Sequence, residues 1–466
     1  MARVSPMDIY KLLPGLNCKE CGEDTCMAFA SALIERTREV MDCPPFEKDE
    51  YKEKGRKLLE LMTPPVKEIV LGTGERAVKI GGEEVMYRHE LTFFNQTALA
   101  FDVDDAMTPE ELEEKVRYIS KYTITRVGQD LRYDAIAIRS KTGDATKFGD
   151  AVMTVCENTD MPIILCSLDP DVLEVGAGIA AERKPLLYAA TKDNWERVVS
   201  IALDNGCPVV ASAPGDIQAL ADLVALLEDN GVEDIVLDPG TEPTGEKFGE
   251  TIDQLTMLRM LAIEDGVKTL GYPILGIPAV AWMVEEDPIK AGFLEASIAA
   301  AQIMRFCSVI ILHSPEVWSV LPNLTLRQNI FTDPRKPIKV DPGLYTIGKP
   351  DESSPVMMTT NFALTYYTVE GDLMAGKVDG YVLVVDTEGL AVEPAMAGAK
   401  LNASVVKDVM ESSKVAEKVN HKKLIIPAMA SRISGEIEDE TGWEVMVGPI
   451  DSSRIPGYLE KEWPPG

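Results

Sequence analysis

The sequence predicts an α/β protein in three parts: a small cysteine-bearing N-terminal domain over residues 1–62, a central (β/α)8 barrel over 63–324, and a Rossmann-like α/β domain over 325–466. Three observations predict it. Four of the eight cysteines crowd the first tenth of the chain, eight short apolar runs alternate with amphipathic ones after Val66, and a second α/β rhythm starts near Thr325. At 466 residues the chain is too long for one ordinary core, so several domains are expected.

The cysteines stand as Cys18-x2-Cys21-x4-Cys26-x16-Cys43. Four thiolates this close can surround one compact centre, as ligation by four cysteines does for [4Fe–4S] clusters. Pro14-Gly15-Leu16-Asn17 leads into the first ligand, Gly22 allows a tight wrap, and Pro44-Pro45 closes the segment. A structural zinc is the alternative, but zinc ribbons usually repeat the C-x2-C knuckle and here the second half is stretched. Asp8 opens a short helix with Ile9, Leu12 and Leu13 on one face, and Thr25 caps a helix expected to run to about Val40. The charged run Glu47–Lys57 reads as a solvated helix or linker, and Thr63-Pro64-Pro65 marks the boundary.

The barrel segment opens with an expected hairpin, Ala77–Ile80 against Val85–Arg88 across Gly81-Gly82. Eight strand candidates follow: 98–103, 135–139, 162–167, 186–191, 208–213, 234–238, 270–276 and 308–313. An α/β repeat of this length suits a closed barrel, and the G-x-G-x-x-G fingerprint of a dinucleotide-binding open sheet is missing.

The third part has a proline-stiffened lead-in at Pro334, Pro337 and Pro342. Strands are expected at 356–359, 381–386, 424–427 and 444–447 and a helix over 403–414, before a tail with Pro456, Pro464 and Pro465.

Composition excludes several classes. Forty-six basic against 76 acidic residues give a net charge of −30, which argues against nucleic acid or an anionic membrane as partner. Residues 1–14 hold no continuous apolar core, and the longest uncharged stretch, Leu270–Val284, is short and carries two prolines, so neither a signal peptide nor a membrane span is expected. Cys156, Cys166, Cys207 and Cys307 read as buried reduced thiols, which suits a cytoplasmic protein.

Candidate chemistry lies at strand ends. Asp102, Asp104 and Asp105 follow the first barrel strand, though acids ahead of Thr108-Pro109-Glu110-Glu111 also suit a helix N-terminus. The loop Asp238–Gly245 has phosphate-loop ingredients without G-K-[ST], and a structural turn is the better reading. Only three histidines occur, His89, His313 and His421, and no pair has metal spacing. His313 ends a strand and faces the barrel mouth or is a satisfied core histidine. In the third part Thr359–Tyr367, Asp386-Thr387-Glu388-Gly389 and Ser431–Gly435 each follow a strand, on the sheet edge where open α/β folds bind ligands.

Together these residues resemble a known family. Ile9-Tyr10-Lys11-Leu12-Leu13-Pro14 before the cysteines, Tyr87–Asn95, Thr359–Tyr367 and Met446-Val447-Gly448-Pro449 are similar to the large subunit of corrinoid/iron–sulfur proteins of acetyl-CoA metabolism, and the likeness runs along the chain. The resemblance implies a [4Fe–4S] cluster on Cys18, Cys21, Cys26 and Cys43. It implies a cobamide cradled by Thr346, by Thr359, Thr360, Asn361 and Phe362, by Asp386, Thr387, Glu388 and Gly389, and by Ile433, Ser434 and Gly435. It also implies a methyltransferase role: cobalt takes a methyl group from methyltetrahydrosarcinapterin or methyltetrahydromethanopterin and passes it to an acetyl-CoA synthase centre, or the reverse. The implied partners are a smaller barrel (delta) subunit and the acetyl-CoA synthase and CO dehydrogenase subunits. No D-x-H-x-x-G motif is present, so the cobamide is expected base-off without a histidine ligand. A reductive activator of another corrinoid protein is the alternative.

Overall fold

Eight apolar runs close into a parallel barrel in the computed structural model, which describes residues 4–463. Its strands, in chain order and in spatial order, are Ala98–Asp104, Ala135–Arg139, Ile163–Cys166, Leu186–Ala190, Val209–Ser212, Ile235–Asp238, Ile274–Gly276 and Cys307–Leu312. Closure pairs Val309 with Ala98. Nearly every strand residue is buried, as continuous apolar runs under a ring of helices must be. The helix Pro109–Lys121 shows how the ring forms: Thr108 caps it with Glu111 in a reciprocal capping box, and Leu112, Val116 and Ile119 face inward.

The opening hairpin departs from the sequence expectation. Val78–Gly81 pairs backward, antiparallel, with Glu68–Leu71 and not with 85–88. Gly81 and Gly82 are not its turn. A Cβ on Gly81, at φ +76, would lie 2.3 Å from the Lys67 carbonyl oxygen, so the glycine permits a close backbone crossing. This hairpin lies against residues that precede barrel strands: Gly81 on Pro273, Gly72 on Pro162, and Arg76 on the carbonyl of Tyr133. It therefore covers the amino-terminal end of the barrel.

The N-terminal segment has its own small core of Ile9, Leu13, Phe29, Leu33, Phe46 and Leu58. Its second helix is shorter than expected, Cys26–Ile34. Arg36 takes a left-handed φ of +52 and Thr37 donates back to the Ala32 carbonyl, the 6→1 bond of a Schellman stop. Glycine usually signals that stop, and an arginine hides it. The charged run forms the helix Asp49–Met62.

The chain divides into two compact units, one up to Tyr122 together with Arg132–Phe331, the other Thr123–Leu131 together with the chain from Thr332 on. The second unit is a five-stranded sheet ordered Gly343–Ile347, Gly380–Val385, Val356–Thr360, Lys423–Ile426, Glu444–Val447. The first of these is an antiparallel edge strand that the sequence reading lacked; the other four are parallel. Met357, Val382 and Val384 pack with the helices Ala363–Ala375 and Ile455–Glu462 on one face. Val356, Met358, Leu383 and Val385 pack with Ala403–Ser412 and Ser434–Thr441 on the other. A two-stranded ribbon, Thr123–Arg126 with Gln129–Arg132, belongs mainly to this unit, where Gly128 sits under the Tyr367 ring. Pro456 lies in the first turn of the closing helix, while Pro464 and Pro465 lie outside the described residues. Among the described residues no helix is long and apolar enough to cross a membrane.

Candidate functional site

The first candidate site is the four-cysteine wrap. Asn17 and Lys19 take left-handed φ values of +46 and +64, and Gly22 one of +83, so the chain coils tightly between the first two ligands. The Asn17 side-chain oxygen accepts the Cys26 backbone N–H at 2.8 Å, and Thr25 caps the helix that Cys26 begins. All four cysteines line one small cavity floored by Phe29 and Pro45. Burial pushes the Cys43 thiol up to about 11, and the facing Cys21, Cys18 and Cys26 thiols push it the same way. Among the described residues no three His, Cys, Asp or Glu side chains are placed to share a single metal ion.

A second candidate site opens on the C-terminal sheet. Strand order reverses at Val356–Thr360, whose neighbours are the next strand, Gly380–Val385, on one side and the later Lys423–Ile426 on the other. Ligands of open α/β sheets bind outside the carboxyl ends at such a switch point. Here a cleft of about 280 Å³ lies there, lined by Met357, Thr359, Ile426, Pro427, Met429, Gly448 and Ile450 among others. Its rim is unusually apolar for an exposed surface: Leu364, Met429 and Ile450 are all exposed. In its lining, the Thr359 hydroxyl is buried without a hydrogen-bond partner, as is that of the adjacent Thr360, which is outside the lining. An unpaired buried hydroxyl is costly, so a ligand that supplies a partner to Thr359 is the simplest account.

The remaining sequence candidates fall around this cleft in different ways. Asn361, fully buried, ties the loops: its amide donates to Asp386, and its carbonyl oxygen accepts from the Thr387 and Gly389 backbone. Glu388 takes a left-handed φ of +58 and pairs with Lys400. Phe362 caps the helix Ala363–Ala375, and Thr346 is exposed on the edge strand against Tyr381. Ile433 is buried, Ser434 starts the helix that follows, and Gly435 faces open space. Of the twelve residues assigned to the cobamide from sequence, Thr359 alone is part of the cleft lining, although Leu364 and Thr365 of the segment Thr359–Tyr367 also line it. Gly448 and Pro449 entered only through the family resemblance, and Met429 and Ile450 were missed.

At the carboxyl end of the barrel the three aspartates separate by role. Asp105 accepts from the backbone of Lys141 and Thr142 and is structural. Asp104 faces Arg139 and Lys141. Asp102 is paired with His313. Asp238 is enclosed by Tyr188, Ser212 and the Gly240 N–H, as a structural turn requires. Of the other cysteines, Cys207 and Cys307 are buried, Cys156 and Cys166 only partly, and all are free.

The chain is thus an α/β protein with a four-cysteine segment, a closed parallel barrel and a separate five-stranded, mostly parallel sheet. Residues 68–459 match the family described as "CO dehydrogenase/acetyl-CoA synthase delta subunit", and residues 13–45 the family "Putative Fe-S cluster". The acetyl-CoA decarbonylase/synthase complex subunit gamma of Methanothermobacter thermautotrophicus is 46% identical over 98% of this chain and 99% of its own. Subunit gamma 1 of Methanosarcina mazei is 45% identical over 99% of each chain. The chain therefore belongs to the acetyl-CoA decarbonylase/synthase gamma-subunit family. Among solved structures, dihydropteroate synthase from Thermus thermophilus is 18% identical with a TM-score of 0.40, covering 56% of this chain and 100% of that one.

Proposed function

We propose that this chain is a corrinoid and iron–sulfur methyl carrier of the acetyl-CoA decarbonylase/synthase complex. It would exchange a methyl group with a methylated tetrahydropterin and with an acetyl-CoA synthase centre. In this reading residues 1–62 carry a [4Fe–4S] cluster on Cys18, Cys21, Cys26 and Cys43, residues 63–324 form the barrel, and residues 325–466 hold the cobamide. A smaller barrel subunit, acetyl-CoA synthase and CO dehydrogenase subunits are the partners. The observation that carries the reading is the cleft at the switch point, with an apolar rim over the unpaired Thr359 hydroxyl.

When bound, the cobamide supplies a cobalt centre for methyl transfer, and the cluster supplies single electrons that keep that centre reduced. The chain's own residues do the rest. Thr359 would offer its hydroxyl to the ligand's amide-bearing edge. Leu364, Met429 and Ile450 cover its apolar face and exclude water. Asn361 holds the adjoining loops in place without touching the cleft.

In this reading no histidine ligates cobalt. His421 is the single histidine of the second unit, and both ring nitrogens are engaged, Nε2 donating to the Ser354 carbonyl and Nδ1 accepting from the Lys423 N–H. Equilibrium binding of a base-off cobamide to the anaerobically purified chain tests the reading. About one cobamide per chain is expected. A chain that keeps its iron yet binds no cobamide contradicts it.

A further inference from the structure

His313 and His421 are held in opposite ways. His421 has both ring nitrogens engaged, as a structural histidine should. His313 has one. Its Nδ1 lies 2.6 Å from Asp102 Oδ1, Nε2 makes no hydrogen bond among the described residues, and the side chain is 35% exposed. It follows the last barrel strand, and Asp102 stands near the end of the first, so the pair lies at the carboxyl end, where barrel enzymes keep their chemistry.

Several elements fix this ring. The Glu295 carboxylate, on the helix Pro288–Met304, accepts the backbone N–H groups of His313 and Ser314. The Trp282 ring lies 4.7 Å from the imidazole, centre to centre. Lys115, on the helix after the first strand, and Arg139, on the second strand, both face Asp102, while Asp104 shares Arg139. Two cations keep the buried Asp102 an acceptor, so it holds the Nδ1–H and leaves Nε2 as the position that exchanges protons.

We infer that His313 is the proton donor to the nitrogen that gives up the methyl group, with Asp102 as its positioning residue. This rests on the carrier reading above. A methyl group on a tertiary amine leaves as a cation equivalent, and the C–N electron pair stays on nitrogen. That nitrogen is a poor leaving group unless a proton reaches it before or during bond breaking. The proton comes from Nε2–H of the imidazolium. The electron pair of the new carbon–cobalt bond comes from Co(I), formally oxidised to Co(III), so no external oxidant or reductant is needed. The half-exposed ring then recovers a proton from solvent.

Three measurements test it. In the full chain without cobamide, NMR of the three histidines on addition of tetrahydrosarcinapterin should move the His313 ring signals and leave those of His421 in place. With cobamide bound and reduced, and with the partner barrel subunit present, His313→Gln should slow methyl transfer from methyltetrahydrosarcinapterin by about 10²-fold or more. The same variant should keep the wild-type rate with methyl iodide, whose leaving group needs no proton. Asp102→Asn should give a smaller loss and displace the high-pH limb of the pterin rate profile. An undisturbed His313 signal, an unchanged pterin rate, or an equal loss with both donors overturns the inference alone. A wild-type chain that takes methyl from neither donor overturns it together with the carrier reading.

Discussion

Asn361 donates its side-chain amide to Asp386 across 2.9 Å, while its carbonyl oxygen accepts the backbone N–H groups of Thr387 and Gly389 at 3.0 Å each. One buried side chain thus joins the loops after two neighbouring parallel strands, two residues on from Thr359 in the cleft lining. Asn361→Leu fills the space but strands the buried Thr387 and Gly389 N–H groups. Each unpaired buried group costs about 1–3 kcal/mol, so the loss should be at least about 2 kcal/mol. Denaturant unfolding followed by a probe in the C-terminal unit should show it, and a loss under about 1 kcal/mol would show the knot to be dispensable.

Iron should follow the cysteines. The anaerobic chain is expected to hold about four irons, and Cys21→Ala to lose most of them while the barrel stays folded. Zinc in equal molar amount, without iron, would sink the cluster assignment.

His421 should be silent towards cobalt. Its two nitrogens are occupied and its ring lies edge-on to Trp443 and Trp463. His421→Ala is expected to leave the Co(II) electron paramagnetic resonance spectrum unchanged. A nitrogen splitting present in the wild type and absent in the variant would identify it as a ligand.

Asp102 makes stability depend on acid. Burial pushes its carboxyl up, but the hydrogen bond with His313 and the charges of His313, Lys115 and Arg139 outweigh that, leaving it below its ordinary 3.8. A depressed carboxylate stabilises the fold fully above the unfolded value, and the contribution is lost as pH falls through the lower folded value. Lys115→Met removes one cation and narrows that gap. Acid unfolding followed by circular dichroism should then begin at higher pH than in the wild type, and an unmoved midpoint would contradict this.

The barrel was legible because its strands are largely apolar runs buried on both faces, such as Ala135–Ile138, with polar residues mainly towards their carboxyl ends, and such runs survive any uncertainty in register. The hairpin was not, because Gly81-Gly82 reads as a turn until the nearby Lys67 carbonyl is seen in space. The helix stop at Arg36 was hidden for the same kind of reason, an ordinary residue in a conformation that glycine usually marks. The cysteine wrap needs only local sequence, so it could be read directly. The cleft draws on three distant segments around Thr359, Met429 and Ile450, and the unpaired state of Thr359 and Thr360 is a three-dimensional fact.

The most direct test of the carrier reading is a single turnover with the cluster removed. Cys21→Ala protein, loaded with cobamide and reduced chemically to Co(I) in the presence of its partner subunit, is mixed with isotopically methylated tetrahydrosarcinapterin. Methyl transfer needs no net electron, so about one labelled methyl per cobamide should appear on the protein, with activity fading only as cobalt oxidises. No label transferred, with the cobamide retained and the fold intact, would contradict a carrier whose cluster serves only to keep cobalt reduced.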